Sequence, residues 1–370
     1  MQFSLSDEQV MLKSLVERLV ADAYVPGKRA AYRASDTGFS AGNWAQMAEL
    51  GVLAAPFSPE QGGLAGGLVE LMVLMEALGR GQVVEPVLEQ VVTPGRLIAQ
   101  ARSAGSIDAW LQRIMSGAVH VAMAHFEQAA GFELDDVRTI AHGNGAGVRL
   151  QGDKTVVLGS GGADAFLVSA RTVGSSGTDG IGFYFVDRDA PGLAITPFRI
   201  ADGSVAARLR LEDVAAREKL DVSFDAFLNA VDDSRVAACA EMIGIMSTLF
   251  DTTLEHVRTR KQFGAPLGSF QVIQHRMADL YVLLEQSRSQ LYRAALSGTS
   301  GRAQPAAVAG MKSYVSAAAV EMGEQCIHLH GGMGITDELL IGHGHKRLLV
   351  LAAMFGDADH ELQRYARFDH

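Results

Sequence analysis

Two stretches of this chain carry residue types and spacings suited to gripping a charged ligand. Residues 325–336 read Gln325-Cys-Ile-His-Leu-His-Gly331-Gly332-Met-Gly334-Ile-Thr336, an amphipathic helical run that closes on three glycines spaced G-G-x-G. A helix ending on glycine is ordinary capping, because glycine enters the left-handed region at no steric cost. Three together also strip side chains from the backbone, so that its N–H groups can approach a flat polyanion such as a pyrophosphate. The second stretch, Arg260-Lys261-Gln262-Phe263-Gly264, stands at another helix end. A guanidinium fork pairs phosphate oxygens through two hydrogen bonds, which suits Arg260 to the same ligand. The plainer readings are a simple turn at the glycines and a solvated arginine in the basic run Arg258, Arg260, Lys261.

Other candidates are weaker. Asp232-Asp233 are adjacent, so they point to different helix faces and read as charge at a helix start. His330, His343 and His345 lie close in sequence but lack metal-ligand spacing, and they read as hydrogen-bonded or solvated histidines; no metal is expected. His360-Glu361 reads as a solvated helix end. Met242, Met246, Met322 and Met333 read as core filler.

A chain of 370 residues exceeds what one core holds, which points to two or three domains. Hydrophobic residues at 48% with charged residues at 20% describe a folded protein with a large interior. The net charge of −10 argues against nucleic acid or an anionic membrane as partner. Forty glycines against nine prolines, with no low-complexity tract, indicate tight turns rather than linkers. Cys239 and Cys326 sit in apolar helical stretches, which excludes a disulfide framework and implies a reducing compartment. The first eight residues lack a basic and then apolar signal pattern, and no apolar run spans a bilayer. A cytoplasmic location is expected.

Three textures follow one another along the chain. Residues 1–118 read as an all-α domain, with a capping box at Ser6/Gln9 and apolar stripes at Leu12–Val20, Trp44–Leu50 and Leu68–Leu78. Residues 119–218 carry short β-rich runs separated by turn clusters such as Gly143-Asn-Gly and Gly159-Ser-Gly-Gly162, predicting a compact antiparallel barrel or sandwich. Residues 219–370 return to long helices over 231–258, 268–296, 304–330 and from about 345, predicting a four-helix bundle. The expected fold is therefore α+β and multidomain.

Motifs from all three blocks then fall into one order. Trp44…Leu50-Gly51…Pro59-Glu60…Gly62-Gly63, Gly152-Asp-Lys154…Ala163-Asp164, Pro191-Gly192…Asp202-Gly203, Leu211-x-Asp213-Val214, Arg260-x-Gln262-Phe263-Gly264 with Phe270-Gln271, and His330-Gly331-Gly332-x-Gly334 are similar to signatures of one family. Along nearly its whole length the chain resembles the flavin-dependent acyl-CoA dehydrogenases. That resemblance implies an α-helical domain, a β-barrel and a four-helix bundle, assembled as a homodimer or homotetramer with FAD between barrel and bundle. It implies that Arg260, Phe263, Gln271 and the bend Gly331, Gly332, Gly334 reach the partner's FAD, with His328 where a glutamine is usual. The implied reaction is α,β-desaturation of an acyl-CoA thioester, with an electron-transfer flavoprotein as acceptor. Such chemistry needs a carboxylate base, a carbonyl clamp and a dry slot, while the cofactor carries the redox step. With no basic cluster assigned to it, the CoA portion is expected to rest on backbone and apolar contacts.

The departures from the family pattern cluster. The family's T-E-P-x-A-G-S-D reads here Phe126-Glu127-Gln128-Ala129-Ala130-Gly131-Phe132-Glu133, so Phe126 and Phe132 delete two flavin-facing hydroxyls. Its W-I-T reads Val156-Val157-Leu158, which removes an aromatic wall and a third hydroxyl. Apolar groups there would fill the chain's own flavin pocket while the arm offered to a neighbour stays intact. A companion subunit in a heterotetramer with a second acyl-CoA dehydrogenase-like chain is therefore the alternative, and a non-redox CoA-thioester-binding protein is a third. Alignment back from Gln363-Arg364 puts Asp357 where the family carries its glutamate base. Some relatives carry the base on the first bundle helix, a position that falls near Ser234. Glu241, about two turns further along that face, is a lone acid in an apolar run and the second candidate.

Overall fold

A computed structural model describes residues 5–24, 27–64, 66–102, 106–143, 147–297 and 304–368. Asn144 and Gly145 of the expected Gly143-Asn-Gly turn lie outside the described residues. Six helices come first: α1 (Asp7–Ala23), α2 (Lys28–Ala34), α3 (Ala41–Glu49), α4 (Leu68–Arg80), α5 (Thr93–Ile98) and α6 (Ser106–Met115). Eight strands follow: β1 (Val121–Ala124), β2 (Ile140–His142), β3 (Arg149–Leu158), β4 (Ala165–Thr172), β5 (Ile181–Asp187), β6 (Leu193–Arg199), β7 (Val205–Ala215) and β8 (Glu218–Leu220). The chain then runs through α7 (Phe224–Thr259), the small strands β9 (Lys261–Gln262) and β10 (Ala265–Pro266), α8 (Gln271–Leu296), α9 (Pro305–His330), α10 (Leu340–Ala353) and α11 (Ala358–Ala366). No described helix is long and apolar enough to cross a membrane.

Two compact units divide these elements, one gathering Met1–Val25, Leu68–Val83 and Arg235–His370, the other Pro26–Gly67 and Val84–Ser234. In the first unit α9 is the hub, packed against α8, α10 and α11. Small residues such as Ala307, Ala309, Ala318, Ala319 and Gly323 are buried along it, which lets neighbouring helices approach closely. From Arg235 onward, α7 buries Met242, Ile243, Met246 and Leu249 completely, each side chain contributing about 1.5–3 kcal/mol. The α4–α7 contact is tighter still. A Cβ on Gly79 would lie 2.2 Å from the Glu241 carbonyl oxygen, and one on Gly244 2.1 Å from that of Glu76. The expected Ser6/Gln9 capping box starts α1, satisfying two backbone donors that the helix itself cannot.

In the second unit all eight strands β1–β8 form one sheet, ordered β6-β7-β3-β2-β4-β5-β8 with β1 also on β4. β4 is buried over six successive residues, whereas β3 alternates, so β4 lies covered on both faces and β3 on one. The core between them holds Phe166, Val168, Leu209, Leu211 and Val214. Here the structure corrects the expected antiparallel barrel: the sheet is open and mixed. β1 and β2 both run parallel to β4 and share one of its edges, at 165–168 and 171–172. β6 and β8 each keep a single neighbour at the ends of the path. Alternating burial reports one covered face, which an open sheet and a closed barrel have in common, so the pattern alone could not separate them.

Candidate functional site

The helix ends carrying the two sequence motifs meet within the first unit. α7 stops at Thr259, and Lys261–Pro266 forms a two-residue hairpin with Phe263 (φ +54) and Gly264 (φ +80) at its tip. Both turn residues have positive φ, as that hairpin type requires. The sequence reading had Phe263-Gly264 ending the helix; instead Phe263 stands 90% exposed on the hairpin, edge-on to Phe270 at 6.3 Å. Gln271 opens α8 and is exposed.

α9 ends at His330, and Gly331 (φ +62) takes the C-cap. The three glycines of the bend do different work. A side chain on Gly331 or Gly332 would meet nothing within 4 Å, and both are exposed, so the backbone is accessible there, although the Gly331 N–H itself donates to the His328 carbonyl. Gly334 is buried, and a Cβ there would sit 2.7 Å from the Ile327 carbonyl, so it is needed for packing against α9.

Imidazole stacking joins the two segments. The His256 ring on α7 lies 4.2 Å from that of His330 on α9, at 23° between planes. His256 precedes Arg260 by one helical turn, and His330 immediately precedes Gly331. Burial first, then the neighbouring His330 and Arg260, depress the His256 pKa below the usual imidazole value. Arg260 is exposed and, among the described residues, has no carboxylate partner. On α9, exposed His328 accepts a hydrogen bond from Arg276 of α8 at 3.2 Å. An exposed guanidinium with no carboxylate partner is chemically suited to pairing with phosphate oxygens.

The two acid candidates have different surroundings. Glu241 is 4% exposed, and both its oxygens accept from Arg347 of α10, at 2.7 and 3.1 Å. That is the structural hydrogen-bond partnership a buried acid ordinarily finds. Asp357 is exposed at the N-cap of α11, where Oδ1 accepts from the His360 N–H at 2.8 Å. The turn before it is held from below. Arg235 donates twice to the Phe355 carbonyl (3.1 and 2.6 Å) and pairs with Glu361 at 2.8 Å. Lys312, fully buried, donates to the carbonyls of Leu351, Ala352 and Gly356 and to the Ser316 hydroxyl, all within 3.1 Å. Phe355 accepts φ +59 there, a strained value for a bulky residue.

In the second unit a cleft of about 910 Å³ opens beside β3, β6 and β7. Arg138, Arg208, Arg210, Thr196, Phe198 and Val156 line it. Arg138 and Arg210 pair with Asp136 (3.1 Å) and Glu212 (2.8 Å), whereas Arg208 lies over the Phe198 ring at 5.8 Å. Under the cleft Glu127 accepts from Lys154 (2.7 Å), the Thr139 hydroxyl (2.7 Å) and the amides of Arg138 and Thr139. Burial alone would raise the Glu127 pKa, but Lys154 and the Thr139 hydrogen bonds outweigh it and hold the carboxyl below its ordinary value. This pair pins a loop to the sheet, with Oε1 accepting three hydrogen bonds and Oε2 one. The arginines of the cleft were missed in the sequence. Their one available signal was Arg208 and Arg210 two residues apart, the spacing that puts both on one face of a strand.

Comparison with known proteins fixes the lineage. Residues 6–118 match the family model described as "Acyl-CoA dehydrogenase, N-terminal domain", and residues 224–368 match "Acyl-CoA dehydrogenase, C-terminal domain". The chain belongs to the acyl-CoA dehydrogenase family. A probable acyl-CoA dehydrogenase of Bacillus subtilis, YngJ, is 29% identical and is covered over 98% of both chains. The L-prolyl-[peptidyl-carrier protein] dehydrogenase of a Serratia strain is 27% identical over 93% of this chain and 92% of its own. A solved structure of a variant of the Tcur3481-Tcur3483 steroid ACAD shares 28% identity with a TM-score of 0.89, covering 99% of this chain and 98% of that one. Within the acyl-CoA dehydrogenase pattern, the aberrant Phe126 is half-buried, and Val156, which replaces the family's tryptophan, lines the cleft at 37% exposure. The helix-end arm keeps the residues that the resemblance assigns to it, while Phe126, Phe132 and Leu158 stand where that resemblance implies hydroxyls.

Proposed function

We propose that the chain is a flavin-dependent acyl-CoA dehydrogenase that desaturates a CoA thioester between its α and β carbons. The observation that carries this reading is the His256–His330 stack, which joins the Arg260 segment to the exposed Gly331–Gly332 bend in a member of this family. Arg260 and the exposed backbone at Gly332 hold the pyrophosphate of FAD, with Gly331, Phe263, Gln271, His328 and Gly334 completing or bracing the arm. FAD, when bound, supplies the acceptor for the β-hydride. Asp357 is the base: Oδ1 stays on the His360 amide and Oδ2 takes the α-proton. Glu241 serves as Arg347's partner instead. Arg208 and Arg210 of the sheet cleft bind phosphates of CoA, in place of the backbone and apolar contacts expected from sequence. Electrons leave to an electron-transfer flavoprotein, and the working form is an oligomer.

A second reading has specific support. The Asp357 carboxylate is already engaged as a cap, and Phe126 and Phe132 stand where flavin-facing hydroxyls are usual. A solved relative bears the paired name Tcur3481-Tcur3483. Together these favour a companion subunit lending its arm to a second, FAD-holding chain. Anaerobic addition of acyl-CoA thioesters of graded length to the chain purified alone separates the readings. Desaturation predicts a yellow protein whose flavin absorbance bleaches with one length class. A colourless chain that becomes yellow only on co-expression with a second acyl-CoA dehydrogenase-like chain supports the companion. Bound flavin that no thioester bleaches contradicts desaturation.

A further inference from the structure

The ends of α7 and α9 hold more positive potential than one arginine requires. Arg260, Arg276, His256, His328 and His330 converge there, and no carboxylate contributes to the field acting on His256. The groups facing His256 are Arg260 from its own helix and His330 from α9; on the α8 side Arg276 donates to His328. The tautomer of His330 follows from its partner. Nδ1 lies 2.9 Å from the Cys326 carbonyl oxygen, which can only accept, so Nδ1 carries a hydrogen and Nε2 is the nitrogen left for another partner. Partly buried, stacked on His330 and beside the permanent cation of Arg260, the His256 ring resists charging while the site is empty of negative charge. An anion placed between Arg260 and Gly331 reverses that balance, because it sits next to both rings.

We propose that His256 and His330 are further ligand-binding groups of the polyanion site, and that His256 takes up a proton as a pyrophosphate diester binds. The inference deepens the dinucleotide reading given above and rests on it. The stacked rings link the two motifs directly, so the anion's charge reaches both motifs through them. Proton uptake makes affinity pH-dependent: binding tightens as pH falls, by at most about tenfold per pH unit for one linked proton. The neutral His256 ring at higher pH leaves Arg260 and the exposed glycine backbone to bind alone.

Calorimetric titration of the full chain with ADP-ribose tests this. Its pyrophosphate diester carries no group that titrates between about pH 5 and 8, so any uptake belongs to the protein. Runs in two buffers of different ionisation enthalpy give the number of protons taken up. The wild type should take up a proton fraction that grows as pH falls from about 7.5 to 6. His256→Phe, which keeps a stacking ring, should still bind but with reduced uptake and a flatter pH dependence. His330→Asn should act in the same direction. Binding of ADP-ribose with no proton uptake at any pH overturns the proposal and leaves the dinucleotide reading intact. Uptake unchanged in both variants also overturns it. Failure of the wild type to bind at all, or binding unaffected by Arg260→Ala, removes the dinucleotide reading and this inference with it.

Discussion

Oδ1 of Asp357 accepts the His360 amide at 2.8 Å and so caps α11, while the same carboxylate is the proposed proton acceptor. Capping and catalysis respond differently to substitution, which makes them separable. Asparagine caps about as well as aspartate but cannot take a proton, so Asp357→Asn should keep the melting temperature and abolish α-proton exchange on a bound thioester. Asp357→Ala should lose exchange and also about 1 kcal/mol of stability, measured by urea unfolding. Full exchange in the Asn variant would remove Asp357 as base and return attention to Glu241. The position of Asp357 was legible from alignment with the family's final signature, but its capping role was not. A cap depends on whether the helix starts at the next residue, and sequence places such boundaries only to within a turn.

Lys312 belongs to the scale of elements, because it ties the C-terminal carbonyls of α10 to the turn entering α11. Burial drives its pKa down to about 8 from 10.5, with Cys239, Glu361 and Asp357 opposing and Arg235 assisting. Between those values the unfolded chain holds a proton that the folded chain has released, so stability rises with pH across that window. The wild type should therefore gain stability from about pH 8 to 10.5, and Lys312→Met should lack that rise in pH-dependent urea unfolding; equal slopes would show that the ammonium is not desolvated. At the α4–α7 contact, Gly244→Ala forces a methyl against the Glu76 carbonyl and should cost about 1–3 kcal/mol. An unchanged melting temperature there would mean the helices part more easily than their spacing implies. Helices of this unit were readable because apolar residues recur at their own period, as at Met277, Leu280, Leu284 and Leu291 along α8. β2 and β8, three residues each, escaped, since a strand so short carries too little alternation to register. The expected barrel failed for a related reason: closure is decided by which edges pair, and that is a long-range property.

For the molecule as a whole, the arm was legible because glycine and arginine types report backbone access and charge directly. The histidine stack was not, since it depends on α7 and α9 ending side by side, which no local pattern encodes. Exposed apolar residues mark the same region: Val272, Tyr281 and Val282 on α8, and Ile335 on the bend at 74%. A surface of that kind is ordinarily covered by another chain, so native mass spectrometry should find an oligomer, and a strictly monomeric protein would contradict the proposed assembly. The most direct test of the central claim is the flavin retained per chain after purification and desalting, compared between wild type and Arg260→Ala at equal folded content. Loss of most of the flavin in the variant is the predicted result. Equal flavin in the two proteins would contradict the claim that the α7 and α9 ends hold the cofactor's pyrophosphate.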